Sequence, residues 1–260
     1  MSNNNDDDKK VKKLLEDAHQ TGALSAKSLA ALDVVDVGAQ IQAGLGVTID
    51  DVAASEVVLL TMMPDDSQSI AGAGNTAAVR DGHNFVLEAL ARSKQSGEVL
   101  AHTRYLNGDV LFPYTALQHA IQMTPANYNP CHGTPLFDQT VTVLGTVIAK
   151  AQELQQAGIA VRTVTLIITD GGDYGSTRCR AQEVAAIVQD MLAQENHIVA
   201  AMGIDDGTTD FKKVFRSMGI PDRWILTPGN SASEIRRAFQ VFSQSAVRAA
   251  AGAQLGGFSN

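Results

Sequence analysis

Cysteine is nearly missing from this 260-residue chain, which has only Cys131 and Cys179. Two thiols cannot build the disulfide framework of a small secreted scaffold. Basic charge is also short, with 20 Lys and Arg against 28 Asp and Glu, a formal charge of −8 and a pI near 5.2. That balance lacks the basic face of a nucleic-acid binder and disfavours an anionic membrane surface as partner. No apolar run approaches the ~20 residues of a membrane span. The opening MSNNNDDDKK lacks the basic start and apolar core of a signal peptide. The expected location is therefore the cytoplasm, or a particle made there. With 7 prolines and 22 glycines, collagen-like and Pro-rich linker classes are excluded.

What is present is an ordinary globular balance, 45% hydrophobic and 18% charged. A chain this long buries roughly 70–75% of its unfolded surface and needs no disulfide or structural metal to fold. Residues 1–22 are expected to be a mostly disordered polar N-terminus, with a short charged helix over Val11 to Asp17. Residues 23–54 carry Leu24, Leu29, Leu32, Val35, Val37, Ile41 and Leu45 between glycine breaks. This pattern predicts a helical extension packed on or beside the main domain.

A strand–helix rhythm fills residues 55–245. Glu56 to Met63 is a continuous apolar run, as expected of a strand buried on both faces. Strands are also predicted over Val99–Tyr105, Asp109–Phe112, Thr163–Thr169, His197–Ile204 and Arg223–Leu226. Helices are predicted over Asn75–Ser93, Thr115–Met123, Pro135–Gln156, Arg180–Asn196, Thr208–Met218 and Ser231–Arg248. Asn107-Gly108 marks a hairpin, because both residues tolerate positive φ. The alternation predicts a doubly wound, mostly parallel α/β sheet with helices on both faces and one antiparallel edge strand. Residues 246–260 read as a flexible Ala/Gly-rich tail.

In such sheets ligands bind beyond the carboxyl ends of the strands. The first apolar run is followed by Pro64-Asp65-Asp66-Ser67-Gln68-Ser69, and Thr163–Thr169 by Asp170-Gly171-Gly172-Asp173. His132-Gly133-Thr134-Pro135 precedes the long helix. Ser67 and Ser69 taken alone suit a turn or helix cap, and Asp170-Gly171 alone suits a turn. Together, in this order and context, the three segments resemble the von Willebrand factor type A (vWA) domain with its metal-ion-dependent adhesion site.

The resemblance implies a metal set of Asp65, Ser67, Ser69, Thr134 and Asp170. It implies direct contacts from the two serines and Thr134, and water-mediated ones from Asp65 and Asp170. Hydroxyl and carboxylate oxygens suit a hard cation, with Mg²⁺ expected first and Ca²⁺ or Mn²⁺ as alternatives. Neutral hydroxyls leave much of the ion's charge uncompensated, so the implied partner is a protein presenting Asp or Glu. The family suggests a non-enzymatic interaction module in a multiprotein assembly or with a MoxR-type AAA+ ATPase. Asp66 departs from the common pattern and adds a carboxylate that strengthens metal binding or repels an acidic ligand. A metal-dependent hydrolase or phosphatase and a structural subunit of a homo-oligomer are the competing readings. The first lacks an Asp-x-Asp pattern after Met63, and no phosphate-binding Gly-Lys-Ser/Thr loop occurs.

Overall fold

The computed structural model describes residues 3–33, 37–253 and 256–258. β1 (Glu56–Met63) lies inside the sheet, in parallel with β2 (Val99–Arg104) on one side and β4 (Ala160–Thr169) on the other. Beyond β4 come β5 (His197–Gly203) and the two-residue β6 (Ile225–Leu226), both parallel. β3 (Val110–Ala116) closes the opposite edge, antiparallel to β2. Among the described residues the order is β3-β2-β1-β4-β5-β6. Val57 to Met63 are buried without alternation, because helices cover both faces of a parallel sheet. The fold class is thus the doubly wound α/β arrangement that the strand–helix rhythm predicts.

One face is covered by α5 (Thr76–Ala91) and α9 (Ala232–Ala250). On the other, α6 (Leu136–Gln156) and α7 (Ala181–Ala193) pack together, and α6 rests on β4 and β1. α6 is buried from Leu136 to Leu154 apart from Phe137, a burial too complete for a helix with one side in water. Its outer side is covered by α1 (Asn3–Gln20) and α3 (Val37–Leu45), while α2 (Ala26–Leu32) packs on α7. The α3–α6 crossing depends on glycine. A Cβ on Gly145 would stand 2.6 Å from Leu32 Cδ2 and 2.7 Å from Ile41 Cδ1. One on Gly44 would stand 2.6 Å from Thr146 Cγ2.

Three local expectations are corrected. The N-terminus is helical rather than mostly disordered: α1 buries Val11, Leu14, Leu15 and Ala18, one stripe at helical spacing. That stripe has a partner only once α6 is in place, and the polar run before it gave no hint of one. The helix expected over Thr115–Met123 does not form. Thr115 and Ala116 pair with Ala101 and Leu100 as the end of β3, and a short 3-10 turn, Leu117–His119, follows. Ladder hydrogen bonds to β2 override the helical preference of this segment. The tail returns to the body: α9 continues to Ala250, and Phe258 meets Trp224 edge-on with centroids 5.2 Å apart. Val35 and positions 254, 255, 259 and 260 lie outside the described residues.

Lys150 on α6 is buried, and its Nζ donates to the Val47 carbonyl and to Glu153 Oε2 (2.8 Å). Glu153 Oε1 in turn lies 2.6 Å from Lys10 Nζ on α1. A buried ammonium needs such partners, so this ion-pair chain ties the extension to α6. No helix among the described residues is long and apolar enough to cross a membrane.

Candidate metal centre

β1 and β4 are neighbours, yet their chains leave in opposite directions, β1 towards α5 and β2, β4 towards α7 and β5. Such a reversal opens a crevice at the carboxyl ends of the two strands. Asp65 follows β1 after Pro64, and Asp170 follows β4 directly.

Asp65 is fully buried, with both carboxylate oxygens engaged. Oδ1 accepts the Ser67 N–H (2.7 Å), and Oδ2 accepts the Thr169 hydroxyl (2.7 Å). These bonds bend the chain so that Ser67, in extended conformation, begins the short helix α4 (Gln68–Gly72). A serine there would ordinarily cap the helix with its hydroxyl. Ser67 does not: its side chain makes no capping bond, and its Oγ lies 2.8 Å from Ser69 Oγ. Ser69, on the exposed rim, donates to Asp170 Oδ1 at 2.6 Å. Ser67, Ser69 and Asp170 thus form one connected chain of oxygens, and Asp65 fixes the backbone beneath it.

Thr134 is buried and enters through the backbone. Cys131 and His132 donate their N–H groups to the Asp66 carbonyl (2.9 and 3.1 Å), and Gln68 donates to the His132 carbonyl (3.0 Å). Thr134 exchanges two backbone hydrogen bonds with Tyr174, of 3.0 and 2.8 Å, which join this loop to the one after β4. Asp66 Oδ1 accepts the Asn107 N–H (2.9 Å) from the β2–β3 turn, and its Oδ2 lies 3.8 Å from His132 Nε2.

The electrostatics of this rim call for positive charge. Burial raises the pKa of Asp65, against the hydrogen bonds from Ser67 and Thr169. Burial first, with the neighbouring Asp65 charge adding to it, pushes Asp66 and Asp170 up to about 6. Among the described residues, no Lys or Arg forms an ion pair with Asp65, Asp66 or Asp170. His132 beside Asp66 is the one basic group in reach. Hydroxyl and carboxylate oxygens of this kind suit an oxygen-preferring hard cation. Among the described residues, no three His, Cys, Asp or Glu side chains converge as a metal-holding group, so hydroxyls must supply much of any coordination here.

Asp173 and Asp138 have other work. Asp173 Oδ1 accepts from the Phe137 N–H (3.1 Å) and the Ser176 hydroxyl (2.5 Å), at the start of α6. Asp138, which the sequence reading passed over, is buried and receives the N–H groups of Thr177 (2.9 Å), Arg178 (3.1 Å) and Cys179 (2.7 Å). Arg178 Nε lies 3.5 Å from it. It fixes the loop that pairs with Thr134. An acidic residue in the first turn of a predicted helix was the available signal. Cys131 and Cys179 are free thiols, one exposed and one buried. Trp224 is buried, with its ring edge-on to Phe258.

No known protein-family model matches the chain, and no curated protein matches it. Solved structures do. The pilus adhesin SpaC from Lactobacillus rhamnosus GG, in its open conformation, is similar over 74% of this chain and 30% of its own, at 13% identity and a TM-score of 0.52. Proximal thread matrix protein 1 from the mussel byssus is similar over 74% of this chain and 48% of its own, at 16% identity and a TM-score of 0.51. The SpRpn10 VWA domain is similar over 70% of this chain and 92% of its own, at 8% identity; its TM-score of 0.45 is too low to bear on function. The chain therefore spans less than half the length of the adhesin and the matrix protein. At these identities the likeness establishes the doubly wound α/β fold and leaves the chemistry of the rim to its own residues.

Proposed function

We propose that this protein is a vWA-type interaction module, binding one divalent cation at Asp65, Ser67, Ser69, Thr134 and Asp170 and, through it, a carboxylate of a protein partner. The observation that carries the reading is the Ser67 hydroxyl, which forgoes capping α4 and joins Ser69 and Asp170 at the crevice between β1 and β4. Three buried carboxylates without a Lys or Arg partner add to it, because a cation there offsets their desolvation. Mg²⁺ fits the all-oxygen set best, with Ca²⁺ and Mn²⁺ as the other hard cations.

When bound, the cation supplies an electrophilic site for an outside anion. This chain's residues do the rest. Asp65 orients Ser67 through the backbone, and Thr169 holds Asp65 in place. Asp66 ties the β2–β3 turn to the rim. The exposed position of Ser69 leaves the rim open to an acidic side chain of a partner. The assignment makes the protein a binding module rather than an enzyme. Titration calorimetry with Mg²⁺ tests it: the wild type binds one ion, whereas Asp65→Ala and Ser69→Ala bind none or at least tenfold more weakly. Unchanged affinity in a folded Asp65→Ala variant refutes the assignment.

A further inference from the structure

At the far end of the sheet, a cleft of about 600 Å³ opens between the starts of β4 and β5, the end of α9 and the segment entering β6. That volume suits a small molecule. Arg162, the third residue of β4, and Asp170 on the metal rim are eight residues apart along the strand, about 26 Å at roughly 3.3 Å per residue. The two places are chemically independent.

The walls carry charge of both signs, from Arg162, Arg223 and Glu195. Arg162 Nη2 is held 3.1 Å from Glu56 Oε1, whereas its Nη1 is buried without a hydrogen-bond partner. Asn196 donates Nδ2 to the Val161 carbonyl (3.1 Å), which leaves its Oδ1 buried and unpartnered. The wall therefore holds one unanswered donor and one unanswered acceptor, an arrangement that proteins otherwise avoid. Arg223 forms no ion pair among the described residues. Glu195 follows α7 with φ 60, the one non-glycine residue with positive φ among the described residues. Glycine is usual at such a helix end, so a glutamate held there against its backbone preference fits a side chain kept for its carboxylate.

We propose that this cleft binds a small zwitterion of the free α-amino-acid type. The ligand carboxylate sits between Arg162 and Arg223, and the ammonium group faces Glu195 and the Asn196 side-chain carbonyl. The apolar part lies along Trp224. Arg162 Nη1 and Asn196 Oδ1 are buried atoms of two residues that line the cleft, and the proposed binding includes a side-chain rotation that turns them to the ligand. A simple anion would set negative charge beside Glu195 and offer the Asn196 carbonyl no donor, and a simple amine would set positive charge beside the arginines. A zwitterion answers both.

Trp224 lines the cleft and is the only tryptophan in the chain, so its fluorescence reports occupancy directly. The full-length protein is titrated with free leucine and free glutamine at neutral pH and constant ionic strength. The controls are 4-methylpentanoate, which lacks the amine, and leucinamide, which lacks the carboxylate. The expected result is a saturable change with at least one amino acid, with binding at least tenfold weaker for the controls and in Arg223→Gln and Glu195→Gln. Both substitutions are at exposed positions, so folding is not at stake, and circular dichroism verifies it. The response also persists in EDTA, which separates this site from the metal rim. No saturable response up to millimolar concentration overturns the proposal. So does equal binding of either control, or unchanged affinity in both variants.

Discussion

Gly82 on α5 faces Phe239 on α9 at a distance that no side chain would allow. A Cβ added at Gly82 would stand 2.1 Å from Phe239 Cδ2, 2.4 Å from Cε2 and 2.5 Å from Cγ. Real Cβ contacts do not fall below 3.0 Å, so the ring would have to retreat by most of an ångström. Cγ lies on the axis about which the ring turns, so rotating the ring cannot clear the contact. The ring is fully buried in a close-packed interior, so the strain passes to α9. Overpacking of this kind costs about 1–3 kcal/mol. Against it, Gly→Ala inside a helix gains about 1 kcal/mol of propensity. The contact is severe enough to place the cost at the upper end, for a net loss of about 2 kcal/mol. For a chain of this size that lowers Tm by roughly 4–8 °C. Urea unfolding of Gly82→Ala measures the loss, and Phe239→Leu in the same background recovers part of it, because the shorter side chain vacates the space. A neutral or stabilising Gly82→Ala refutes the close packing of α5 on α9.

Three further outcomes follow from the same structure. Chelation by EDTA leaves the far-UV circular dichroism unchanged, because the proposed metal set lies on the rim while the strands and helices carry the core; loss of the signal would mean that the ion supplies folding energy, as in structural zinc domains. Asp138→Ala costs about 2–4 kcal/mol and frees the loop around Thr177 to Cys179, because three N–H groups lose one buried charged acceptor; hydrogen exchange across residues 171–180 checks it, and unchanged protection refutes it. Burial lowers the His83 pKa from 6.5 to about 4, so its folded value lies below its unfolded one. The neutral imidazole's contribution is complete above pH 6.5 and is lost as the pH falls towards 4. His83→Gln therefore flattens the acid limb of the stability curve by up to about 1.4 kcal/mol per pH unit, and an unchanged slope in denaturation series contradicts the assignment.

The sequence by itself determined the sheet's interior strands and the order of the rim segments. Val57–Met63 and the run ending at Thr169 carry no charged residue and are buried without alternation, as expected of strands covered on both faces. Asn107-Gly108 fixed the hairpin in the same local way, and Gly108 has φ 104. The tertiary structure decided whatever needed a distant partner. Thr115 and Ala116 became strand because β2 offered them hydrogen bonds, and α1 gained a partner because α6 has a second apolar side. Ser69 and Asp170 are 101 residues apart and meet at 2.6 Å only because β1 and β4 are neighbours. Asp138 is an unremarkable first-turn acid until the loop after β4 folds back and presents three N–H groups to it. Periodicity and turn chemistry act over a few residues and are written in the chain. Burial, pairing and the pKa of a carboxylate depend on what the rest of the chain brings alongside.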